Sequence, residues 1–264
     1  MPELPEVETV TRSLAPLVGR RVISAEFRNL RILRGGDPER MAARLEGRHI
    51  GAIQRYGKFI AIALREGGYL LIHLGMTGRL LLGGEVGKHT HAIFTFESGV
   101  LLFDDSRQFG SIQFSEEFPA RVARLGPEPL EVTFDTFAAA LKRRNTRIKA
   151  LLLNQTFLRG IGNIYADEAL FRSGIHPLAV ASRLRASRAR MLFDAMVEVL
   201  TEAIDAGGSS ISDYVDAEGR MGFFQFSHRV YQRTGEPCTA CGTAIRRIPV
   251  AQRSSHFCPK CQKR

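Results

Sequence analysis

The chain has 264 residues, 44% of them hydrophobic, enough to bury one large core or two to three smaller ones. Its 37 Lys and Arg outnumber 27 Asp and Glu for a net charge of +10. That surplus points to a polyanionic partner, nucleic acid first, with an anionic membrane surface or a merely solvated basic face as alternatives. Glu3, Glu6 and Glu8 stand where a secretory signal would be basic and then apolar, and the apolar runs have strand length, so a soluble cytoplasmic protein is expected.

In chain order, a helix is predicted first, because Val7, Val10, Leu14 and Leu17 share one helical face and Pro5 suits a first turn. From Val22 to about Phe114, short apolar segments recur at 22–27, 50–56, 59–64, 69–74, 91–96 and 100–103. Phe59, Ala61 and Ala63 alternate with Ile60, Ile62 and Leu64, and Gly67-Gly68, Gly83-Gly84 and Ser98-Gly99 punctuate the run. The pattern predicts an antiparallel sandwich or barrel. Gly126-Pro127-Glu128-Pro129 reads as a stiff linker.

Beyond it the spacing turns helical at 134–141, 148–153, 165–171 and 191–204. The last segment sets Met191, Ala195, Met196, Val199, Leu200 and Ala203 on one side and stops at Gly207-Gly208. From about Thr234 the tail is too short to build a core of its own.

That tail holds all four cysteines as Cys238-x2-Cys241, sixteen residues, then Cys258-x2-Cys261. A two-residue gap lets a tight turn aim both sulfurs at one point, and the long gap fits a hairpin that returns the second pair. One structural Zn2+ with no open ligand position is expected, against the alternatives of two disulfides or idle thiols. Arg246, Arg247, Arg253, Lys260, Lys263 and Arg264 surround it and suit a phosphate backbone.

The N-terminus is the second constellation. A small residue after Met1 permits its removal, which exposes Pro2 as a secondary amine. An α-amine with a pKa of about 7.7–8.0 is substantially neutral near pH 7, whereas a lysine near 10.4 is almost wholly charged. Its attack at a sugar C1′ yields a cationic iminium, an electron sink for elimination, and Glu3 alongside suits a general acid. In isolation Pro2-Glu3 is no more than a processed terminus.

The context lies in the ordered motifs. Residues 1–9, Met-Pro-Glu-Leu-Pro-Glu-Val-Glu-Thr, are followed by Tyr56-Gly57-Lys58-Phe59, His73-Leu74-Gly75-Met76-Thr77-Gly78 and Lys88-His89-Thr90-His91. Next come Arg107-Gln108-Phe109-Gly110, Leu125-Gly126-Pro127-Glu128-Pro129-Leu130 and the stretch from Gly160 through Asn163 to Glu168. Gly207-Gly208-Ser209-Ser210 and Ala251-Gln252-Arg253 lead to the last cysteine pair. This set resembles the formamidopyrimidine-DNA glycosylase family, bacterial enzymes that excise oxidised purines. The endonuclease VIII-like relatives share the proline start and zinc tail but begin with Gly where this chain has Leu4.

The resemblance implies an α+β multidomain fold. It comprises a catalytic β-sandwich over 1–125 with a flanking helix, a helix–two-turn–helix DNA-binding domain over 131–233 with a lesion-capping loop at 209–226, and a zinc finger with a β-hairpin over 234–264. It implies a bifunctional glycosylase and AP lyase, a monomer acting on double-stranded DNA that contains a damaged base, associated in use with the bacterial nucleoid. No redox cofactor or catalytic metal is implied.

Residue by residue, Pro2 matches the nucleophile, Glu3 the general acid, Lys58 a lysine of phosphate or base contact and proton transfer, and Arg253 a phosphate-binding arginine linked to δ-elimination. Asn163 matches a phosphate contact, with Gly160 and Gly162 allowing close approach of the backbone. His73, His89, Arg144, Lys149 and Tyr231 are expected as further DNA contacts, with ordinary structural roles as the alternative, especially for His73 within an apolar strand. Met76, Arg107 and Phe109 match the residues that fill the gap left by an extruded nucleotide. Gln108 stands where the family leads one to expect a second basic residue. Two other readings remain: an enzyme of oxidised pyrimidines, and a non-catalytic damage-sensing DNA-binding protein.

Overall fold

Leu4–Ser13 form the first helix, α1, and its start is explained by its own side chains. Glu3 caps it, its carboxylate accepting the Glu6 amide while Glu6 Oε2 accepts the Glu3 amide at 2.8 Å, a reciprocal capping box with Pro5 in the first turn. Val7, Val10, Leu14 and Leu17 are buried as their spacing requires, although the helix tightens to a 3-10 turn over Ala15–Leu17. The computed structural model describes residues 1–34, 36–211 and 214–264; Ser212 and Asp213, within the expected capping loop, lie outside the described residues. It divides into two compact units, Met1–Arg124 with Ala206–Gln225, and Leu125–Asp205 with Phe226–Arg264. Residues 206–225, which the sequence reading groups with the helical segment, thus cluster with the first unit.

The first unit holds two four-stranded antiparallel sheets. One contains β1 (Val22–Phe27), β6 (Thr90–Phe96), β7 (Val100–Asp105) and β5 (Gly78–Leu82) in that order. The other contains β2 (Ile50–Tyr56), β3 (Phe59–Leu64), β4 (Tyr69–His73) and β8 (Ser111–Ser115). Period-two alternation decides what each face buries. Ile60, Ile62 and Leu64 join Leu70, Ile72, Phe94, Phe103 and the α1 residues in the main core, each contributing about 1.5–3 kcal/mol. Ala61 and Leu71 face the other way and pack with Tyr56, Phe59 and Val122, the last on the short helix α3 (Ala120–Ala123). Sequence periodicity passes over β5, β8 and the helix α2 (Pro38–Leu45), which Asp37 caps through a 2.9 Å bond from the Arg40 amide and which buries Met41 and Leu45 one turn apart.

The second unit consists of α4 (Phe134–Lys142), α5 (Ile148–Leu152), α6 (Asn163–Arg172), α7 (Ala186–Asp205) and the hairpin β9 (Arg246–Val250) and β10 (Arg253–Phe257). α6 packs against α5, α7 and β10 and is buried almost all round, Ile164 through Leu170 without interruption. A helix so placed shows little amphipathic pattern, and the charged Asp167 and Glu168 it carries inward need partners. On α7 the buried face is Leu192, Ala195, Met196, Val199, Leu200 and Ala203. Met191, expected on that face, is 52% exposed instead, because at 100° per residue it falls at the edge of the stripe that Leu192 centres. No helix of the described residues is long and apolar enough to cross a membrane.

Candidate active site and nucleic-acid interface

In the first unit, the head of α1 gathers the residues the N-terminal motif singles out. Pro2 and Glu3 are buried while Met1 is 48% exposed. Glu6, to which the sequence reading gives no role, is the link. Its Oε1 accepts the Ser209 amide at 2.7 Å while its Oε2 holds Glu3. Gly208 lies at φ +83°, and a Cβ there would stand 2.8 Å from Glu6 Oε1, so only glycine lets the loop approach. The Tyr214 hydroxyl stands 3.2 Å from the Glu6 carbonyl oxygen and 3.1 Å from that of Gly207, and burial, with the Glu6 charge, pushes its pKa up. Ser210 Oγ donates to the Tyr214 carbonyl and accepts the Gly222 amide. The loop is thereby seated on α1 with Met221 and Phe223 exposed and Phe224 buried.

Lys58 sits in the two-residue turn between β2 and β3, preceded by Gly57 at φ +59°. His73 ends β4. Its Nδ1 accepts the Gly75 amide at 3.1 Å, so the ring proton is on Nε2. Burial first, then the charges of Lys58, Arg121 and Arg34, pull its pKa down to about 4, which keeps it neutral near pH 7. The turn that follows presents Met76, and the turn between β7 and β8 presents Arg107 and Phe109, all exposed. Arg107 lies over the Phe109 ring at 4.9 Å, a cation–π contact.

One buried carboxylate fastens the two turns together. Asp105 accepts Thr77 Oγ1 at 2.5 Å and the Arg107 amide at 3.3 Å on Oδ1, and the Gly110 amide at 2.7 Å on Oδ2. At Gly75, with φ +64°, a Cβ would lie 2.5 Å from the Gly110 nitrogen, so the two turns touch backbone to backbone. His89 is exposed, and its carbonyl accepts the Asp105 amide. Gln108 adopts φ +57°, a left-handed conformation unusual for a residue with a side chain.

In the second unit, Asn163, Tyr231, Arg247, Gln252, Arg253 and His256 line an open cavity of about 370 Å³. Gly160 at φ +92° and Gly162 in extended conformation deliver the chain to Asn163, the first residue of α6. Asn163 Oδ1 is buried with no hydrogen-bond partner among the described residues, the mark of a polar site that its own side chains leave incomplete. Glu168 is buried and its carboxylate accepts the amides of Arg229, Val230 and Tyr231 at 2.8–3.0 Å, which shapes the turn bearing Tyr231. Burial pushes its pKa up against those three bonds. Arg253 follows a hairpin tip at which Ala251 and Gln252 have φ +48° and +59°, a two-residue turn built without glycine. Arg144 is exposed after α4, whereas Lys149 is completely buried, with its ammonium on Asp167.

The four thiol sulfurs lie within 4.8 Å of one another, with Cys238–Cys261 at 3.9 Å and Cys241–Cys258 at 3.5 Å. A tetrahedron with Zn–S bonds of about 2.3 Å has edges of about 3.8 Å, so the set fits one zinc with every position taken by sulfur. The β9–β10 hairpin spans the sixteen-residue gap, and Gly242 at φ +73° turns the first pair.

A sandwich led by a buried proline and capping glutamate, and a helical unit closed by a four-cysteine hairpin edged with arginines, define a zinc-hairpin class of protein suited to nucleic acid. Three family models cover the chain in order: the formamidopyrimidine-DNA glycosylase N-terminal domain over residues 1–112, its H2TH domain over 125–215, and the zinc finger found in FPG and IleRS over 235–264. The chain belongs to the formamidopyrimidine-DNA glycosylase family. It is 76% identical to the formamidopyrimidine-DNA glycosylase of Solibacter usitatus, with all of both chains covered. Among solved structures it is similar to MutM (FPG) of Thermus thermophilus, at 44% identity and TM-score 0.89 over 99% of this chain and 98% of that one. A Lactococcus lactis FPG mutant in complex with Fapy-dG DNA matches at 37% identity and TM-score 0.92 over the whole of both chains.

Proposed function

We propose that this chain is a bifunctional DNA glycosylase and AP lyase of base excision repair. It excises oxidised purines, 8-oxoguanine and formamidopyrimidines, through a Schiff base on Pro2, and then breaks the strand by β,δ-elimination. The observation that carries this reading, in a chain of this family, is the buried Pro2-Glu3 pair at the head of α1, tied through Glu6 to the loop at Ser209.

Once Met1 is hydrolysed away, the Pro2 lone pair attacks C1′. The C1′–N9 bond breaks, its electrons leave with the purine, and the purine takes up a proton while the Pro2 nitrogen sheds its N–H proton, leaving a neutral amine on C1′. Glu3 protonates O4′ as the sugar opens to an iminium. The iminium draws electrons from C2′, whose proton goes to a base, and the 3′ phosphate departs with the C3′–O pair. Loss of the C4′ proton then expels the 5′ phosphate. Lys58 serves proton transfer in the first elimination, and Arg253 holds phosphate for the second, where its rigid fork suits an anion better than a point charge would.

Asn163 and the α6 amides also hold backbone phosphate, and Tyr231, Arg144, His73 and His89 are further DNA contacts. Met76 and Phe109 wedge into the gap left by the extruded nucleotide, offsetting part of an unstacking cost of a few kcal/mol, and Arg107 bonds the widowed base. Zinc, held by Cys238, Cys241, Cys258 and Cys261, keeps the hairpin folded. The protein acts as a cytoplasmic monomer on duplex DNA, divided into catalytic (1–125), DNA-binding (131–233) and zinc (234–264) parts.

Borohydride reduction during turnover of an 8-oxoguanine duplex should trap a covalent adduct that mass spectrometry locates on Pro2. An adduct on a lysine, or none with Met1 removed, overturns the mechanism. Faster incision of a thymine glycol duplex than of an 8-oxoguanine one overturns the substrate class.

A further inference from the structure

The interior of the second unit holds a charge that the chemistry above does not use. Lys149 on α5 has no exposed surface, and its ammonium donates to Oδ1 of Asp167 on α6. Asp167 is 1% exposed and accepts three more bonds, all from β10. Ser255 Oγ reaches Oδ1 at 2.9 Å, and the His256 amide and Nδ1 each reach Oδ2 at 3.0 Å. One carboxylate thus joins α5, α6 and the zinc hairpin.

Stability alone does not account for such a pair. Burying two ions costs several kcal/mol each in desolvation, and apolar residues of similar volume often serve as well or better, whereas fixing register is the best-attested use of buried charge. What is registered here is specific. Asn163 begins α6 four residues before Asp167, one turn away on the same face. Arg253 begins β10 two residues before Ser255, on the same side of the strand. Both line the 370 Å³ cavity with His256 and Tyr231.

We propose that Lys149 and Asp167 are positioning residues that hold β10 against α6, so that Arg253 and Asn163 face the same DNA phosphate. This rests on the phosphate reading of Arg253 and Asn163 given above. Lys149 acts through Asp167 and touches no nucleotide.

The test is equilibrium binding of the zinc-loaded protein to a duplex with a tetrahydrofuran abasic analogue across a range of salt, alongside thermal unfolding. K149M/D167L removes both charges together and strands the three β10 donors, so it is expected to keep its zinc but to melt at a lower temperature. Its slope of log K against log salt should fall by about 0.9, the loss of one phosphate contact. Adding R253A should change the slope no further, because both lesions remove the same contact. A wild-type slope in K149M/D167L, or losses that add with R253A, overturns the proposal while leaving the phosphate reading intact. A wild-type slope in R253A itself overturns both. Should the double variant fold poorly, S255A removes one tie and leaves the ion pair in place. An affinity about threefold weaker with unchanged zinc supports the proposal, and unchanged affinity overturns it.

Discussion

The two units fasten their exposed turns by buried carboxylates, but they do so differently. In the first, Glu6 and Asp105 collect backbone amides and a hydroxyl, each acting as a small template for the loops around it. In the second, Glu168 does the same for residues 229–231, while Asp167 takes an ammonium besides. The difference teaches what each anchor costs to remove. An amide-collecting carboxylate leaves orphaned donors behind, at about 1–3 kcal/mol apiece. Removing the Lys149–Asp167 pair as a unit strands the three β10 donors too, but it leaves no unpaired charge, and its apolar replacement recovers burial.

The largest effect expected separates the units outright. Chelating the zinc removes an interaction that is worth about 10 kcal/mol or more in small zinc modules. Hydrogen exchange should show residues 234–264 unfolding while the sheets of the first unit keep their protection; equal loss in both would break the comparison. Next, Asp105→Ala strands three donors and leaves a cavity, and should cost about 3–5 kcal/mol in urea unfolding; K149M/D167L strands three as well but refills the volume with apolar side chains, and should cost less. Equal costs would mean that the two kinds of anchor are not distinct.

A smaller effect lies in pH. His73 in the first unit and His228 in the second are both held down to about 4, His73 by burial and then by Lys58, Arg121 and Arg34, His228 by burial. The unfolded chain titrates near 6.5, so between pH 4 and 6.5 it binds more protons than the folded one. Stability therefore rises with pH across that window, is complete above it, and is lost as pH falls through it. His73→Asn, which keeps an acceptor for the Gly75 amide, and His228→Phe should each flatten the dependence by up to one proton, read from unfolding midpoints at a series of pH values. The smallest effect is at the hairpin tip. Gln252→Gly relieves a left-handed φ of +59° and should raise stability by about 1 kcal/mol, which an unchanged melting temperature would refute.

How much of this was legible beforehand depends on whether the cause was local. The strands at 22–27, 50–56 and 59–64 were readable to the residue because side-chain alternation and flanking turns lie within a few positions. The zinc ligands were readable because spacing alone brings them together. β5 was missed because Gly78-Arg79 masks its short apolar run, and α2 because its buried face is only Met41 and Leu45, although Asp37-Pro38 was a start signal in plain view. The positions of Pro2, Lys58 and Arg253 came through a family resemblance, whereas the carboxylates that hold their surroundings did not. Glu6 meets Ser209 across 203 residues, and Asp167 meets His256 across 89, distances over which no sequence period operates. Lys149 is the sharpest instance. A lysine in a basic chain reads as surface, and only the fold turns it inward.

The bond from Ser209 to Glu6 also has a consequence in time. The first unit is interrupted, since the chain leaves it at Arg124 and returns at Ala206. A ribosome adding about 5–20 residues per second needs roughly 4–16 s to make the 81 residues between. Through that interval the sheets are already synthesised, yet the loop that seats on the first helix does not exist. The newborn chain thus emerges with the surroundings of Pro2 and Glu3 unassembled, and translation order itself delays that assembly until most of the chain is in hand.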